Sequence, residues 1–268
     1  MKIFDTHAHY TRFEDKTPKG VDELLAEVFS SGVGKIINVG TSTQSSVEVV
    51  KQALCYDGMY AAVGVHPTDI NMEDSLDGAI KRLSLMLDRK EENKIVAVGE
   101  IGLDYYWEPY DKAAQAAFFE AQLELAEQYD LPVIIHDREA HGDTFEIILK
   151  HPNSRGVFHS YSGSAEMARE LVRRGWYISF SGVITFKNAE RVRAVAQSVP
   201  LDRLLVETDC PYLAPVPFRG KLNRSDYIAY TSETLGALHG MTALQMQEQT
   251  YQNALNLFQI QQKNQKTN

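Results

Sequence analysis

The stretch FDTHAH, residues 4–9, places two histidines one residue apart where the first apolar run of the chain ends. Side chains alternate across an extended chain, so His7 and His9 share a face while Ala8 takes the other. Two neutral imidazoles on one face are half of a metal site. A solvent-exposed strand end that happens to carry histidine is the plain alternative. More residues of ligating type occur at comparable places: His66 in YAAVGVH, Glu100 in KIVAVGE, His136 in PVIIH, His159 in GVFH and Asp209 in RLLVETD. Each closes a short β-rich run or lies just past one.

Those runs set the frame. Strand patterns fall at residues 2–7, 35–40, 60–66, 94–100, 132–136, 156–159, 176–181 and 203–209. Amphipathic helical patterns fall at 21–31, 44–56, 73–91, 111–129, 139–150, 164–175 and 187–198, with two more near 226–239 and 243–258. FFEAQLELAEQY (118–129) carries the helical rhythm, with Phe118, Leu123, Leu125 and Ala126 set among charged neighbours. Strands apolar on both faces and separated by helices pair in parallel through right-handed crossovers. Eight such units in 268 residues predict one α/β domain over 1–260, a single (β/α)8 TIM barrel. The tail QQKNQKTN, 261–268, is expected to be disordered. A doubly wound open sheet is the competing topology, but no Gly-rich phosphate loop follows the first strand.

In a parallel barrel all strand C-termini lie on one rim, which is where barrel active sites are built. His7, His9, Glu100, His136, His159 and Asp209 are therefore expected to converge there although remote in sequence. Buried ionisable groups are costly unless paired or bound to metal, so the cluster reads as a metal site. Imidazole mixed with carboxylate suits zinc, manganese, iron or cobalt without choosing among them. Six ligands exceed the three protein groups of one open tetrahedral ion, which favours two ions roughly 3.5–4 Å apart around a shared carboxylate and a water. Glu100, central in the ring, is the expected bridge.

Composition narrows the function classes. The chain is 44% hydrophobic, enough for a sizeable core. A net charge of −9 argues against a broad cationic face for nucleic acid or anionic membrane, so a polyanionic substrate must be attracted locally. Two cysteines, Cys55 and Cys210, form neither a disulfide framework nor a zinc pattern and fit a reducing, cytoplasmic setting. No apolar run approaches the roughly 18 residues of a spanning helix, so no membrane partner is expected.

FDTHAH, GVHP (64–67), GEIGLDYYW (99–107), PVIIHDREA (132–140), FHSYSG (158–163), ETDCPYL (207–213) and RGKLN (219–223) occur in the order seen in TatD-type metal-dependent deoxyribonucleases of the amidohydrolase superfamily, which the chain resembles over nearly its whole length. The resemblance implies two divalent ions (Zn, Mg, Mn, Co or Ni). His7, His9, Glu100 and Asp209 resemble the ligands of one, and Glu100, His136 and His159 those of the other. It further implies that Asp209 is ligand and general base, that His66 faces the substrate phosphate, and that Glu207 orients a ligand. Asp104 is read like Glu207, or as a loop cap. Tyr161 and Ser162 sit in a Gly-containing loop suited to a phosphate oxygen. Arg219, Lys221 and Asn223 are implied to border the substrate groove, where a guanidinium suits phosphate. One departure is that Ser225 stands where members usually carry Pro, which implies a looser loop.

The expected activity is hydrolysis of DNA phosphodiesters, as a 3′–5′ exodeoxyribonuclease acting on single-stranded or duplex ends, by a monomer. Two other classes compete. One is a deacylase or esterase acting on aminoacyl or N-acyl bonds, but many such barrels bridge their metals with a modified lysine where this chain has Glu100. The other is a non-catalytic nucleic-acid-binding module, which the acidic balance disfavours. His141, His151 and His239 match no motif and are expected on the surface; Cys210 is expected as a buried filler.

Overall fold

Eight apolar runs become eight strands: β1 (Ile3–Ala8), β2 (Val33–Val39), β3 (Met59–Val63), β4 (Ile95–Asp104), β5 (Val133–Arg138), β6 (Gly156–Phe158), β7 (Tyr177–Phe180) and β8 (Leu204–Val206). The structure, a computed structural model, describes residues 3–13, 16–17 and 20–261, so the tail expected from residue 261 lies outside it apart from its first residue. Each strand pairs in parallel with the next, in the order β1 to β8. The seam is thinner: Ala8 bridges Cys210 in parallel, the Asp209 N–H donates to the His7 carbonyl at 2.9 Å, and the Thr6 hydroxyl donates to the Val206 carbonyl at 3.0 Å. The result is the nearly closed (β/α)8 barrel that the alternation predicts.

Nine α-helices lie among the described residues: α1 (Val21–Ser30), α2 (Thr43–Cys55), α3 (Leu76–Leu87), α4 (Lys112–Gln128), α5 (His141–Lys150), α6 (Ala165–Arg173), α7 (Glu190–Ser198), α8 (Ile228–Leu238) and α9 (Ala243–Phe258). Their starts follow capping chemistry. Ser42, Ser75, Asp111, Ser164 and Thr242 each accept a first-turn N–H. The helix expected over 73–91 is shorter: Ser75 caps its start at Leu76 and it ends at Leu87, with a separate 3-10 turn at Ile70–Met72 before it.

The barrel interior is filled by one residue or more from every strand: Phe4, Ile37, Ala62, Ala97, Ile134, Val157, Tyr177 and Leu205. Leu255 and Phe258 of α9 join this cluster, and the Phe4 ring lies 6.3 Å from that of Phe258, so α9 plugs the end opposite the site. Between strands and helices runs a second layer that includes Phe119 and Leu123 of α4 and Trp176. No described helix is long and apolar enough to cross a membrane.

Regular pairing breaks where the ligating residues begin. The β1–β2 register shifts between Asp5 and Ala8, and the β4–β5 register shifts between Val98 and Ile101, on either side of Glu100. Such irregularities re-aim side chains without ending the sheet. β4 and β5 are pressed together here: Gly102 has φ +144°, and a Cβ on it would fall 1.9 Å from the carbonyl oxygen of His136. Only glycine lets the strands that carry Glu100 and His136 meet this closely.

Candidate active site

All seven rim residues singled out above are brought together. Glu100 is at the centre, 3% exposed, and its two oxygens face different partners. Oε2 lies 3.4 Å from His7 Nε2 and 3.5 Å from His9 Nε2, while Oε1 lies 2.8 Å from His136 Nδ1 and 2.8 Å from His159 Nε2. Asp209 completes the first side, its Oδ1 3.4 Å from His9 Nε2 and 3.7 Å from His7 Nε2. The two Nε2 atoms of His7 and His9 are 3.0 Å apart, which confirms their common face.

The far nitrogens of three imidazoles are held by acceptors. His9 Nδ1–H donates to the Val39 carbonyl at 2.9 Å, His136 Nε2–H to Asp104 Oδ2 at 2.9 Å, and His159 Nδ1–H to Glu207 Oε1 at 3.2 Å. A proton fixed on the outer nitrogen leaves the inner one as the donor atom toward the cluster. His7 Nδ1 is buried without a hydrogen-bond partner among the described residues. His7, His9 and Glu100 offer atoms within 4.8 Å of one another, and so do His7, His159 and Asp209. Hard carboxylate oxygens and imidazole nitrogens converging this closely fit divalent cations of the zinc, manganese or cobalt kind.

His66, Glu100 and His136 form a third such group, but the chemistry differs. The Thr68 N–H donates to His66 Nδ1 at 3.2 Å, so the ring proton sits on Nε2, 3.6 Å from Glu100 Oε1. His66 therefore presents an N–H to the site. It lies in the loop past β3, which ends at Val63 rather than at 66 as the sequence pattern predicts.

Electrostatics follow from burial and these pairs. Burial works to raise the Glu100 carboxyl, but His159, His66, His7 and the His136 hydrogen bond outweigh it and hold the group well below the usual carboxylate range. Asp209 is likewise raised by burial and lowered overall by His9, His7 and His159. Burial lowers His159, yet Glu100 and Glu207 lift it well above its ordinary value; His136 is raised by Asp104 and Glu100 against the same burial. His66, without so close a carboxylate, is pushed down to about 3 by burial and by His136. Without a cation the carboxylates are balanced by imidazole protons, which a divalent ion would displace.

Buried carboxylates behind the cluster support it, and Asp5 is one that its sequence position alone did not mark. Asp5 is fully buried in β1; its Oδ1 accepts from the Thr208 N–H at 3.0 Å and from the His7 N–H at 3.3 Å. It ties His7 to the Asp209 loop, and burial pushes its carboxyl up to about 7. An acid inside an apolar strand was the available signal. Glu207, expected to share a strand face with Asp209, lies past the end of β8 at Val206; it accepts from the His159 ring and from the Ser160 N–H at 2.7 Å.

The ring opens into a cavity of about 620 Å³ lined also by Arg12, Arg138, Trp107, Tyr161 and Ser162. Tyr161 is 4% exposed and donates its hydroxyl to the Ser164 carbonyl at 2.8 Å. The three residues assigned to the groove beyond β8 are placed differently. Arg219 stacks over Phe186 at 4.0 Å and Lys221 lies over Phe218 at 5.8 Å, both outside the cavity lining. Asn223 is fully buried, and its amide donates to the Thr208 carbonyl at 2.8 Å and the Tyr212 carbonyl at 2.7 Å, pinning the loop that carries Asp209. Nor is the 219–225 loop loosened at Ser225, which is buried and 2.8 Å from the Tyr10 hydroxyl. His141, His151 and His239 are partly buried and partnered, by Asp137, Glu127 and the Ala196 carbonyl, rather than free at the surface. Cys210 is buried, as expected.

The family described as TatD related DNase matches residues 4–259. YabD of Bacillus subtilis strain 168, named an uncharacterized metal-dependent hydrolase, is 39% identical over 261 residues, covering 96% of this chain and 99% of its own. YcfH of Escherichia coli strain K12 carries the same description and is 36% identical over 264 residues, with 97% of each chain covered. The crystal structure of YjjV, a TatD homologue from Escherichia coli, superposes with a TM-score of 0.88 at 33% identity, covering 97% of this chain and 98% of that one.

Proposed function

Because the chain belongs to the TatD related DNase family and is a metal-dependent hydrolase, we propose that its rim cluster hydrolyses phosphodiester bonds in DNA, removing nucleotides from 3′ ends with two divalent cations bound. The observation that supports two ions is the divided carboxylate of Glu100: one oxygen faces His7 and His9, the other His136 and His159. Asp209 would complete the His7–His9 side. When bound there, divalent cations supply Lewis acidity that polarises a phosphoryl oxygen and lowers the pKa of a water.

The chain's own groups do the rest. Asp209, ionised and at the cavity wall, is placed to accept the proton of the attacking water. His66 offers its Nε2–H to a phosphate oxygen and, being neutral, does so without competing for a cation. Asp104 and Glu207 keep the His136 and His159 rings turned inward. Arg12 at the cavity edge, held by the Thr41 hydroxyl at 2.7 Å and by Asp69 at 3.2 Å, supplies local positive charge on an otherwise acidic protein.

The test pairs metal analysis with hydrolysis of end-labelled single-stranded and duplex DNA bearing free or blocked 3′ ends. Expected are loss of activity on chelation, recovery with Mg, Mn, Zn or Co, and no cleavage of blocked ends. Circular DNA cut as readily as linear DNA would overturn the exonuclease reading, and hydrolysis of acyl substrates with none of DNA would overturn the phosphodiesterase reading.

A further inference from the structure

Two large aromatics, Tyr106 and Trp107, follow β4 and are 51% and 59% exposed beside the cavity. Two exposed rings side by side offer an apolar surface with free π faces. They stand edge to face with centroids 4.9 Å apart, and the Arg138 guanidinium lies 3.7 Å from the Tyr106 centroid and 5.4 Å from that of Trp107. Trp107 and Arg138 both line the same cavity as Glu100 and Asp209. Among the described residues no carboxylate pairs with Arg138, whose guanidinium faces the two rings.

The geometry ties this pair to the reacting centre. Arg138 ends β5 two residues past His136, on the strand that carries that ligand. Asp104 spans both: its Oδ2 accepts from His136 Nε2–H, while its Oδ1 accepts from the N–H groups of Tyr106 at 2.9 Å and Trp107 at 3.3 Å. A single carboxylate thus fixes the aromatic turn relative to a cluster imidazole.

Resting on the DNA reading above, we propose that Trp107 and Arg138 form a nucleotide subsite: the indole stacks one unpaired base and the guanidinium takes a phosphate next to the scissile one. An indole face accepts any base, whereas bases inside a duplex are stacked on both faces and held by pairing, so a subsite for a base inward of the terminal one selects a single-stranded or frayed end without selecting sequence. The guanidinium, already oriented by the Tyr106 ring, keeps its donors free for a phosphate.

The test compares kcat/KM on a trinucleotide with that on the same trinucleotide carrying an abasic analogue at each position in turn, for wild type, Trp107→Ala, Trp107→Phe and Arg138→Met. One abasic position is expected to cost the wild type roughly 10- to 100-fold. Trp107→Ala should erase that difference and Trp107→Phe should keep most of it. Arg138→Met should raise KM on base-bearing and abasic substrates alike.

A second readout does not depend on turnover. The chain has two tryptophans and the other, Trp176, is 2% exposed, so a phosphorothioate trinucleotide should quench emission in the wild type and leave Trp107→Phe unchanged. Wild-type cleavage indifferent to every abasic position, or a full abasic effect retained in Trp107→Ala, overturns the subsite while leaving the nuclease reading intact. A wild type that hydrolyses acyl substrates and no phosphodiester ends both.

Discussion

Asp104 and Glu207 show how single side chains shape the site without lying at its centre. Each grips the outer nitrogen of one imidazole and, with its other contacts, a backbone N–H of the adjoining loop. Replacing Glu207 with Gln should weaken metal affinity roughly 10- to 100-fold while leaving the circular dichroism spectrum unchanged, as read by competition with a chromophoric chelator. A separate pair reports on pH. His141 Nδ1 lies 2.8 Å from Asp137 Oδ2, a hydrogen bond that raises the imidazole above its ordinary value despite partial burial. The folded pKa is above the unfolded one, so the pair's stabilisation is complete below about pH 6.5 and is lost as pH rises through the folded value. An NMR titration should place His141 above 6.5 in the wild type and nearer 6.5 in Asp137→Asn. At this scale the sequence revealed the members of the rim cluster, because His, Glu and Asp at strand ends have few bland explanations. Arg12, Arg138 and Asp5 stayed hidden because their roles depend on what other strands bring to them.

The elements hold the rim through side chains that look unremarkable in sequence. On α4, Gln115 is 2% exposed and binds the backbone of Asp104 twice: Oε1 accepts its N–H at 2.9 Å and Nε2 donates to its carbonyl at 2.9 Å. Gln122, one face-repeat along, grips Val65 in the same way at 2.7 and 3.1 Å. One helix therefore clamps the end of β4 and the loop that carries His66. Gln115→Leu would bury an unpaired N–H and carbonyl and should cost about 2–4 kcal/mol, measured as a lowered urea midpoint with unchanged slope. The helical rhythm of 118–129 correctly marked Phe118, Leu123, Leu125 and Ala126 as buried, but a polar residue on that face carries no periodic signal of its backbone partner. Strand ends were equally unreadable. β8 stops at Val206 and Asp209 adopts φ +56° past it, because the loop is fixed by Asp5 and Asn223 from elsewhere in the fold.

For the molecule as a whole, topology was the most legible feature, since alternating apolar strands and amphipathic helices admit few arrangements once crossovers are right-handed. Charge is the second global property. With a net −9, the proposed hold on DNA would rest on the few cations at the cavity, so two or three phosphates neutralised predict about a 7- to 20-fold loss of affinity for single strands between about 50 and 200 mM salt. A loss approaching a thousandfold would indicate a much longer cationic track than Arg12 and Arg138 provide. Whether Glu100 joins two cation positions into one hydrolytic centre is tested most directly by metal stoichiometry in the wild type and Glu100→Gln, measured alongside DNA hydrolysis. Two divalent ions per wild-type chain are expected, at most one in the variant, and turnover reduced at least a thousandfold with the fold intact. Glu100→Gln that keeps both ions and cleaves DNA at close to the wild-type rate would contradict this.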